Sequence, residues 1–429
     1  MKIKRLQVTN LRVFEHGEFD FRPEMNLLVG VNGVGKTTLL DALRICLSQI
    51  LCDITASRSR LHFNNYDIRN QADFMTITCT FRVNEEEFSY VVHRNRDTTI
   101  TLMKGDKALR EETLSVPNIK EYKPPLSTSV KRIKSSRTQP VGVFFGVRRS
   151  LVSDVTRKAT AAGGQIVAFA NALYDREVRQ QDLAAWILAQ EGLGRERPLA
   201  LKHLRAMQQA ADSFMPHCQN LRVDTLSKHR LVVDKDGKSL EFRQLSDGER
   251  GMFVLALEIA KRLSQANPYL EDPIKDGSAI ILIDEIDLHL HPKWQRTIVS
   301  QLKQTFPNCQ FIATTHSPFI IQSLSEGELI NVGQENIGEY ADKSIDDIAE
   351  NVMGIEMPQK SERYKRMMKA AEEYYALLYR AQKADPVELA QMKQKLEELS
   401  APYSDDPAFS AFLKFQREYF TRGKHETGE

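Results

Sequence analysis

Several short apolar runs recur along the chain and predict strands buried on both faces. The clearest are Met25–Val29, Pro140–Phe145, Ala279–Ile283 and Phe311–Thr314. Glycine or polar residues follow each run, and in α/β sheets the carboxyl ends of the strands are where ligands bind. The pattern therefore predicts an α/β protein whose ligand site lies beyond the strand ends.

In two other segments, apolar and polar residues alternate with the spacing of an exposed strand or of a helix. Thr76–Val83 and Phe88–His93 flank the turn Asn84–Glu86 and predict an antiparallel pair of strands. From Asp154 to about Met215 the pattern is helical, with few runs typical of strands. This stretch predicts a helical insertion.

The segment Gly30–Thr37 matches the phosphate-binding pattern G-x-x-x-x-G-K-[ST] and lies between a predicted strand and a predicted helix. Glycines allow backbone N–H groups to turn inward around phosphates, and the N-terminus of the helix adds positive potential. Lys36 would place its charge on the β- and γ-phosphates, and the Thr37 hydroxyl would ligate Mg²⁺. The pattern predicts an ATP·Mg²⁺ site. Its candidate nucleotide-binding residues are Gly30, Asn32, Gly33, Gly35, Lys36, Thr37 and Thr38.

Two carboxylates and a histidine follow the other predicted buried strands. Asp284 and Glu285 come directly after Ala279–Ile283, and His316 follows the run that begins at Phe311. Phosphoryl transfer depends on positioning and charge neutralisation, so we expect Asp284 to hold Mg²⁺ through water and Glu285 to orient and deprotonate the attacking water. His316 is expected to reach the γ-phosphate. Glu285 and His316 are therefore the candidate catalytic residues.

With the pentapeptide Leu245–Glu249, these motifs resemble the ABC-type ATPases of the SMC and RecF group. The resemblance makes Leu245–Glu249 the signature motif, Asp284-Glu285 the Walker B pair, Leu288–Pro292 the D-loop region and His316 the switch histidine. It implies a homodimer joined through ATP. The signature residues expected to contact nucleotide are Ser246, Gly248 and Glu249.

In that group the signature serine, here Ser246, contacts the γ-phosphate of ATP held by the other protomer. Elementary geometry supports this role, since a serine hydroxyl and glycine N–H at the start of the predicted helix Glu249–Arg262 form an anion site. The opening Val8–Arg12 also matches the first strand and turn of the group. The resemblance therefore implies that Asn10 and Arg12 contact nucleotide.

The glutamine loop of the group has no evident counterpart. Pro140–Phe145 is the strand expected to precede it, but Gly146–Arg149 follows that strand and Gln139 lies before it. Arg148 or Arg149 could contact phosphate at this position; alternatively, the arginine is solvated or paired with an acidic residue.

The resemblance implies an α/β fold, the head of an ABC-type P-loop ATPase, with a mixed sheet core and an antiparallel β lobe. We expect residues 1–150 to form the N-terminal half of this head, 151–225 a helical insertion and 226–345 the C-terminal half. Residues 346–429 are expected to form a helical region that packs on the head or joins an assembly interface. Helical spacing from Tyr364 to Leu378 and possible helix starts at Asp385-Pro386 and Asp406-Pro407 support this reading.

The distribution of charged residues along the chain indicates where it could contact nucleic acid. The 59 Lys and Arg residues nearly balance 57 Asp and Glu, so there is no global nucleic-acid signature. Residues 121–160, however, contain nine Lys or Arg and two acidic residues. Part of this segment is rich in Ser, Thr and Pro and predicts a loop, either solvated or in contact with a phosphate backbone. The candidate contacts are Lys131, Arg132, Lys134 and Arg137.

The cysteine content and the hydropathy of the chain indicate the cellular compartment in which the protein is expected. The five cysteines include no C-x-x-C pair, so neither a zinc site nor a disulfide framework is indicated, and they suit a reducing cytosol. No apolar run approaches the roughly 18 residues of a membrane span. We expect a cytoplasmic protein without a membrane partner.

Three features favour one subgroup of these ATPases. They are a compact head, the sequence Asp284–Pro292 and a C-terminal segment in which Ser344–Ile348 precedes a charged helix. These resemble the bacterial anti-phage ATPases of the Septu type (PtuA-like), including those associated with retrons. That resemblance implies an oligomeric sensor and regulator of a separate HNH nuclease. No nuclease metal pattern follows His316. The alternative is a RecF-like ATPase that binds DNA in repair or replication.

Overall fold

The computed structural model describes residues 1–104, 107–114, 118–150, 165–178, 180–225, 230–333, 343–353 and 362–380, with a few positions between 387 and 401. The chain divides into two compact units, Met1–Ile348 and Ala349–Glu429. The predicted helix starts at Asp385-Pro386 and Asp406-Pro407 lie outside the described residues.

The strands, in chain order, are β1 (Lys2–Leu11), β2 (Phe14–Asp20), β3 (Met25–Val29), β4 (Phe74–Val83), β5 (Glu86–Asn95), β6 (Thr98–Lys104), β7 (Lys107–Leu114), β8 (Ile119–Lys123), β9 (Val141–Phe145), β10 (Cys218–Asp224), β11 (Arg230–Lys235), β12 (Lys238–Glu241), β13 (Ala279–Ile283), β14 (Cys309–Thr314) and β15 (Leu329–Asn331).

The helices, in chain order, are α1 (Lys36–Ile54), α2 (Thr128–Arg132), α3 (Ile166–Phe169), α4 (Gln180–Leu193), α5 (Pro198–Phe214), α6 (Asp247–Ala266), α7 (Pro273–Asp276), α8 (Pro292–Gln295), α9 (Ile298–Thr305), α10 (Pro318–Gln322), α11 (Ile345–Asn351) and α12 (Glu362–Arg380).

A five-stranded parallel sheet forms the core of the first unit, in the order β15-β3-β14-β13-β9. Every residue of β3, β9, β13 and β14 is buried, as the apolar runs predict for strands covered on both faces. Because the strands are parallel, the residues that follow β3, β9, β13 and β14 come together at one edge. The phosphate loop, Asp284-Glu285 and His316 follow strands that end at this edge.

The antiparallel strands lie outside the core sheet, in a five-stranded sheet of order β2-β1-β4-β5-β8, a three-stranded sheet β10-β11-β12 and the pair β6-β7. The predicted pair is confirmed: β4 and β5 pair antiparallel with Phe81 opposite Phe88, and the turn consists of Asn84 and Glu85. Asn84 has a φ of 52°, a conformation that asparagine tolerates better than most residues. The predicted fold class is confirmed, with the antiparallel strands separated from an all-parallel core sheet.

Two buried amide side chains join β1 and the β2–β3 connection to the core sheet. Gln310 on β14 accepts a hydrogen bond from the Ile3 N–H at 2.7 Å and donates to the Ile3 and Arg22 carbonyls at 2.8 Å. Asn26 on β3 accepts from the Arg22 N–H at 2.6 Å and donates to the Phe311 carbonyl at 3.2 Å. Because buried backbone groups need partners, these side chains fix one sheet against the other.

Within the predicted insertion at 151–225, the described residues form α3, α4, α5 and strand β10, and α4 and α5 pack against α6. The insertion as a separate domain stays a prediction. The predicted loop at Lys131–Arg137 is wrong in part, because α2 and a 3₁₀ turn at Ile133–Ser135 cover most of it. The Ser127 hydroxyl caps α2 by accepting a hydrogen bond from the Val130 N–H, so local capping outweighs the Ser/Thr-rich composition. In the second unit, the helical spacing from Tyr364 is confirmed by α12.

Gly142 lies where α1 crosses β9, and we expect Gly142→Ala to lower the free energy of unfolding by about 1–3 kcal/mol. A methyl group there would lie 2.7 Å from side-chain atoms of both Leu47 and Leu51. Urea denaturation measures the effect. Gly192→Ala in α4 is the control, because nothing lies within 4 Å of its added methyl group, and it should not destabilise. Equal stabilities of wild type and Gly142→Ala would contradict the close contact.

Candidate nucleotide-binding site

The loop between β3 and α1 has the backbone of a phosphate cradle. Gly30, Gly33 and Gly35 have φ values of 142°, 82° and 111°, which side chains with a Cβ rarely adopt. A Cβ on Gly35 would also lie 2.5 Å from the Phe14 ring. Both the positive φ and the nearby Phe14 ring therefore require glycine at position 35. Asn32 and Gly33 lie exposed at the tip of the loop.

Lys36 and Thr37 begin α1 at the sheet edge. The Lys36 ammonium, 7% exposed, donates to the carbonyls of Gly30 at 2.7 Å and Val31 at 3.1 Å, and so lies within the curl of the loop. Burial lowers the pKa of Lys36, an effect that nearby Asp284 opposes. Thr38, the next residue, is buried in α1.

The Walker B carboxylate faces the phosphate loop. Both Oδ atoms of Asp284 lie 3.4 Å from the Thr37 Oγ1, so a hydroxyl and a carboxylate from distant parts of the sequence share one location. These hard oxygen donors are the ligand type that Mg²⁺ prefers, and the remaining positions of such a site are filled by water and phosphate. The residues present therefore fit Mg²⁺ bound with a nucleotide. Among the described residues, no group of three or more His, Cys, Asp or Glu forms an alternative metal site.

Thr314, the last residue of β14, links both Walker B residues. Its hydroxyl donates to Asp284 Oδ1 at 2.7 Å and accepts from the Glu285 N–H at 2.7 Å. Glu285 has a φ of 49°, so its backbone is held in the left-handed region. Sequence analysis missed Thr314, although a hydroxyl residue ending a buried strand beside Walker B was the available signal.

Asp287 anchors the residues after β14. Its Oδ1 accepts from the Thr315 hydroxyl at 2.6 Å and from the His316 N–H at 3.3 Å. The half-buried His316 is thereby fixed to the segment that follows Glu285. Sequence analysis missed Asp287 too, because nothing in its spacing distinguishes it from an exposed loop aspartate.

Of the two arginines after the strand at Pro140–Phe145, Arg148 is exposed, as the solvated alternative expects, whereas Arg149 binds backbone carbonyls. It is 3% exposed, and its guanidinium donates to the carbonyls of Asp284 at 2.7 Å and Glu285 at 2.5 Å. Gln139 is also not a site residue in this chain: it is 2% exposed, and its Oε1 accepts from the Ala56 N–H at 2.8 Å.

The signature motif begins α6 two residues earlier than predicted, with Ser246 as the N-cap. Ser246 and Glu249 form a capping box in which Glu249 Oε2 accepts from both the Ser246 N–H and Oγ at 2.9 Å. Burial opposes ionisation of Glu249, but Lys235 and Ser246 lower its pKa below the usual value. A Cβ on Gly248 would lie 2.4 Å from the His289 carbonyl oxygen, so the signature packs on the D-loop region of the same chain.

Asn10 lies near the end of β1 and Arg12 in the turn that follows, both with positive φ, at 54° and 47°. The Arg12 guanidinium pairs with Asp41 at 2.9 Å and Asp67 at 2.8 Å. Both residues line an open groove with Val13, which contacts the phosphate loop at Gly35. The structure thus places them beside the site, with the arginine held by carboxylates.

The four basic residues singled out by charge are not equivalent. Lys134 donates to the Cys52 carbonyl at 2.8 Å, and the Arg137 guanidinium lies 5.0 Å from the centre of the Tyr269 ring. Lys131 and Arg132 lie exposed at the end of α2. All four residues are nevertheless exposed, and contact of this set with a phosphate backbone stays a prediction. No helix in the described part of the chain is long and apolar enough to cross a membrane.

Two curated relatives match most of the chain. The Retron Vc95 probable ATPase of Vibrio cholerae serotype O1 biovar El Tor is 24% identical over 378 residues, 76% of this chain and 73% of that protein. The Septu protein PtuA of Bacillus thuringiensis is 24% identical over 382 residues, 82% of this chain and 84% of that protein. These matches confirm the predicted resemblance to retron-associated and Septu-type ATPases.

Among solved structures, the SMC head domain from Thermotoga maritima superposes with a TM-score of 0.43 and 15% identity, covering 77% of this chain and 94% of that one. The fold assignment rests on the sheet order and the phosphate loop described above. A family model described as "AAA domain, putative AbiEii toxin, Type IV TA system" matches residues 25–322, which include the phosphate loop, the signature motif, Walker B and His316. The chain therefore belongs to this AAA domain family and is an ATPase.

Proposed function

We propose that this chain hydrolyses ATP as the regulatory and sensor subunit of a bacterial anti-phage defence complex, and that it controls a separate HNH-type nuclease. The observation that carries the hydrolytic part is the convergence of Thr37, Asp284 and Glu285 at one sheet edge. The relatives named for a retron and for Septu support the defence role.

Each residue at the edge has a role that follows from its position. The glycine loop and Lys36 bind the β- and γ-phosphates, and Thr37 and Asp284 hold Mg²⁺, Asp284 through water. Bound Mg²⁺ neutralises charge on the phosphates. Glu285 orients the attacking water and accepts its proton, while His316, anchored through Asp287, contacts the γ-phosphate. Asn10 and Arg12 contact the nucleotide from the neighbouring groove.

Ser246 acts on the ATP of a second copy. It is exposed at the N-terminus of a 20-residue helix, where backbone N–H groups and the helix dipole favour an anion. Within its own chain, the Ser246 hydroxyl donates to Glu249, a bond that a phosphate oxygen could replace. This arrangement supports a homodimer with ATP between the heads, each site completed by the partner's Ser246, Gly248 and Glu249.

The proposed domains follow the sequence pattern: two halves of the head at 1–150 and 226–345, the insertion at 151–225 and an assembly or partner region at 346–429. The nuclease is proposed to bind this last region, which contains α12 with its strongly charged sequence. The proposed contacts for nucleic acid are the exposed residues Lys131, Arg132, Lys134 and Arg137.

The test is purification of the tagged full chain from its native host, with and without ATP, followed by mass spectrometry and light scattering. We expect a stoichiometric small nuclease and a mass above that of a monomer. A bare dimer carrying DNA or repair proteins would contradict the defence role and favour the RecF-like alternative.

The Ser246→Arg variant separates the dimer from the other parts of the proposal. An arginine at the N-cap places bulk and positive charge against the helix N-terminus, so the ATP-dependent increase in mass should disappear while ATP still binds one head. Ser239→Arg, on the exposed strand β12, is the matched control. Loss of dimer in both variants, or in neither, would argue against the ATP sandwich.

A further inference from the structure

We propose that Arg149 is a positioning residue for hydrolysis: it fixes the backbone of Asp284 and Glu285 so that the Glu285 carboxylate points at the γ-phosphate. The inference rests on the proposed function and assigns a role to the turn after β9, where the glutamine of related ATPases is missing. It makes Arg149 part of the Walker B structure although the two lie 135 residues apart in sequence.

The guanidinium connects three backbone carbonyls at the ends of two strands. One nitrogen, Nη1, donates to the carbonyls of Asp284 at 2.7 Å and Gly146 at 3.2 Å, and Nη2 donates to the Glu285 carbonyl at 2.5 Å. Strands β9 and β13 pair in parallel up to Phe145 and Ile283, so Arg149 continues their connection beyond the last ladder hydrogen bonds. Its planar fork is suited to holding adjacent acceptors.

The Glu285 backbone needs such support. Its φ of 49° lies in the left-handed region, which is unfavourable for a residue with a side chain. Thr314 holds the Glu285 N–H and Arg149 holds the Glu285 carbonyl, so both sides of the strained residue are restrained. Without Arg149, this peptide keeps only neutral bonds, from the Ile286 N–H to the Thr314 carbonyl and from the Leu288 N–H to the Glu285 carbonyl, each at 2.9 Å. The Glu285 carboxylate is then held less firmly toward the attacking water.

The charge of Arg149 also fits this position. Arg149 is 3% exposed, and an arginine guanidinium stays charged in proteins, so it places a positive charge beside the carboxylates of Asp287, Asp284 and Glu285. A buried cation beside three carboxylates reduces their mutual repulsion. Bonds from a charged donor are also stronger than neutral ones, which favours a rigid Walker B backbone.

The test compares two affinities of each variant, because positioning acts on the transition state more than on bound ATP. Affinity for ATP·Mg²⁺ represents the ground state, and affinity for ADP·Mg²⁺ with aluminium fluoride represents the transition state. For Arg149→Met we expect ATP affinity within about threefold of wild type, with transition-state analogue affinity and kcat each about 10²-fold lower, since misplacement by about 1 Å has effects of this size.

Arg149→Lys keeps the charge but cannot donate to all three carbonyls, so its kcat and analogue affinity should fall between those of wild type and Arg149→Met. This variant also serves if Arg149→Met fails to fold. Arg148→Met is the matched control, because Arg148 lies in the same turn but is exposed, and both affinities should stay within about twofold.

Three outcomes of these measurements would contradict the proposed role of Arg149 or the ATP site on which it rests. Wild-type affinity for both nucleotides in a folded Arg149→Met or Arg149→Lys protein would overturn the proposal. Equal losses of both affinities would show uniform binding or a general structural role and would also overturn it. If wild type itself binds neither nucleotide, the proposed ATP site fails, which is a result distinct from failure of the Arg149 variants alone.

Discussion

Replacement of Glu285 by Gln is expected to lower the rate of ATP hydrolysis by about 10²–10⁴-fold, the range for removal of a general base. The two side chains have nearly the same shape, and the bonds that hold this residue involve its backbone N–H and carbonyl, with Thr314 and Arg149. The substitution therefore leaves the geometry in place and removes the proton acceptor. Steady-state release of phosphate at saturating ATP measures the change.

ATP binding should survive Glu285→Gln, because the phosphates are held by the glycine loop, Lys36 and Thr37. Equilibrium binding of ATP·Mg²⁺ within about threefold of wild type would show that chemistry alone was lost. Glu326→Gln, an exposed position outside the site, is the control for a lost carboxylate. Hydrolysis within about threefold of wild type in Glu285→Gln would contradict its role as base.

Lys36→Ala is expected to have the largest effect on binding, weakening ATP affinity by about 10- to 100-fold. A hydrogen bond to a charged group contributes about 1.5–3 kcal/mol, and 1.4 kcal/mol corresponds to a factor of ten. The ammonium already lies within the loop, donating to the Gly30 and Val31 carbonyls, so a phosphate there receives a positioned charge. Isothermal calorimetry with ATP·Mg²⁺ measures the loss.

The control for Lys36→Ala is Lys238→Ala, because Lys238 is an exposed lysine at the hairpin of β11 and β12. It should bind ATP like wild type. Thermal unfolding of both variants separates lost contacts from lost folding, since Lys36 also bridges two carbonyls of its own loop. Unchanged ATP affinity in a folded Lys36→Ala protein would exclude this loop as the phosphate site.

The motifs could be predicted well because their chemistry is local in sequence. The phosphate loop needs glycines at particular φ values within eight residues, and a buried strand needs a continuous apolar run. The capping box of α6 likewise depends on Ser246 and Glu249, three residues apart. Backbone requirements that involve only neighbouring residues can be recognised directly in a sequence. The fold class and the sheet edge that carries the candidate site could therefore be predicted.

The contacts of the charged side chains could not be predicted from the sequence. Arg12 pairs with Asp41 and Asp67, while Lys134 contacts the Cys52 carbonyl and Arg137 lies over the Tyr269 ring. A charged residue in a sequence shows no partner, because the partner can come from any strand or helix that packing brings near.

The sequence by itself determined the nucleotide-binding motifs, the buried parallel strands and the presence, though not the first residue, of the helix after the signature serine, since each depends on contacts within a few residues. Only the tertiary structure decided how Walker B is held. Thr314 from β14 and Arg149 from the turn after β9 reach Asp284 and Glu285 across 30 and 135 residues of chain. The physical reason is that buried carbonyls and a strained φ are satisfied by neighbours in space, and the order of strands in the sheet sets which residues those are.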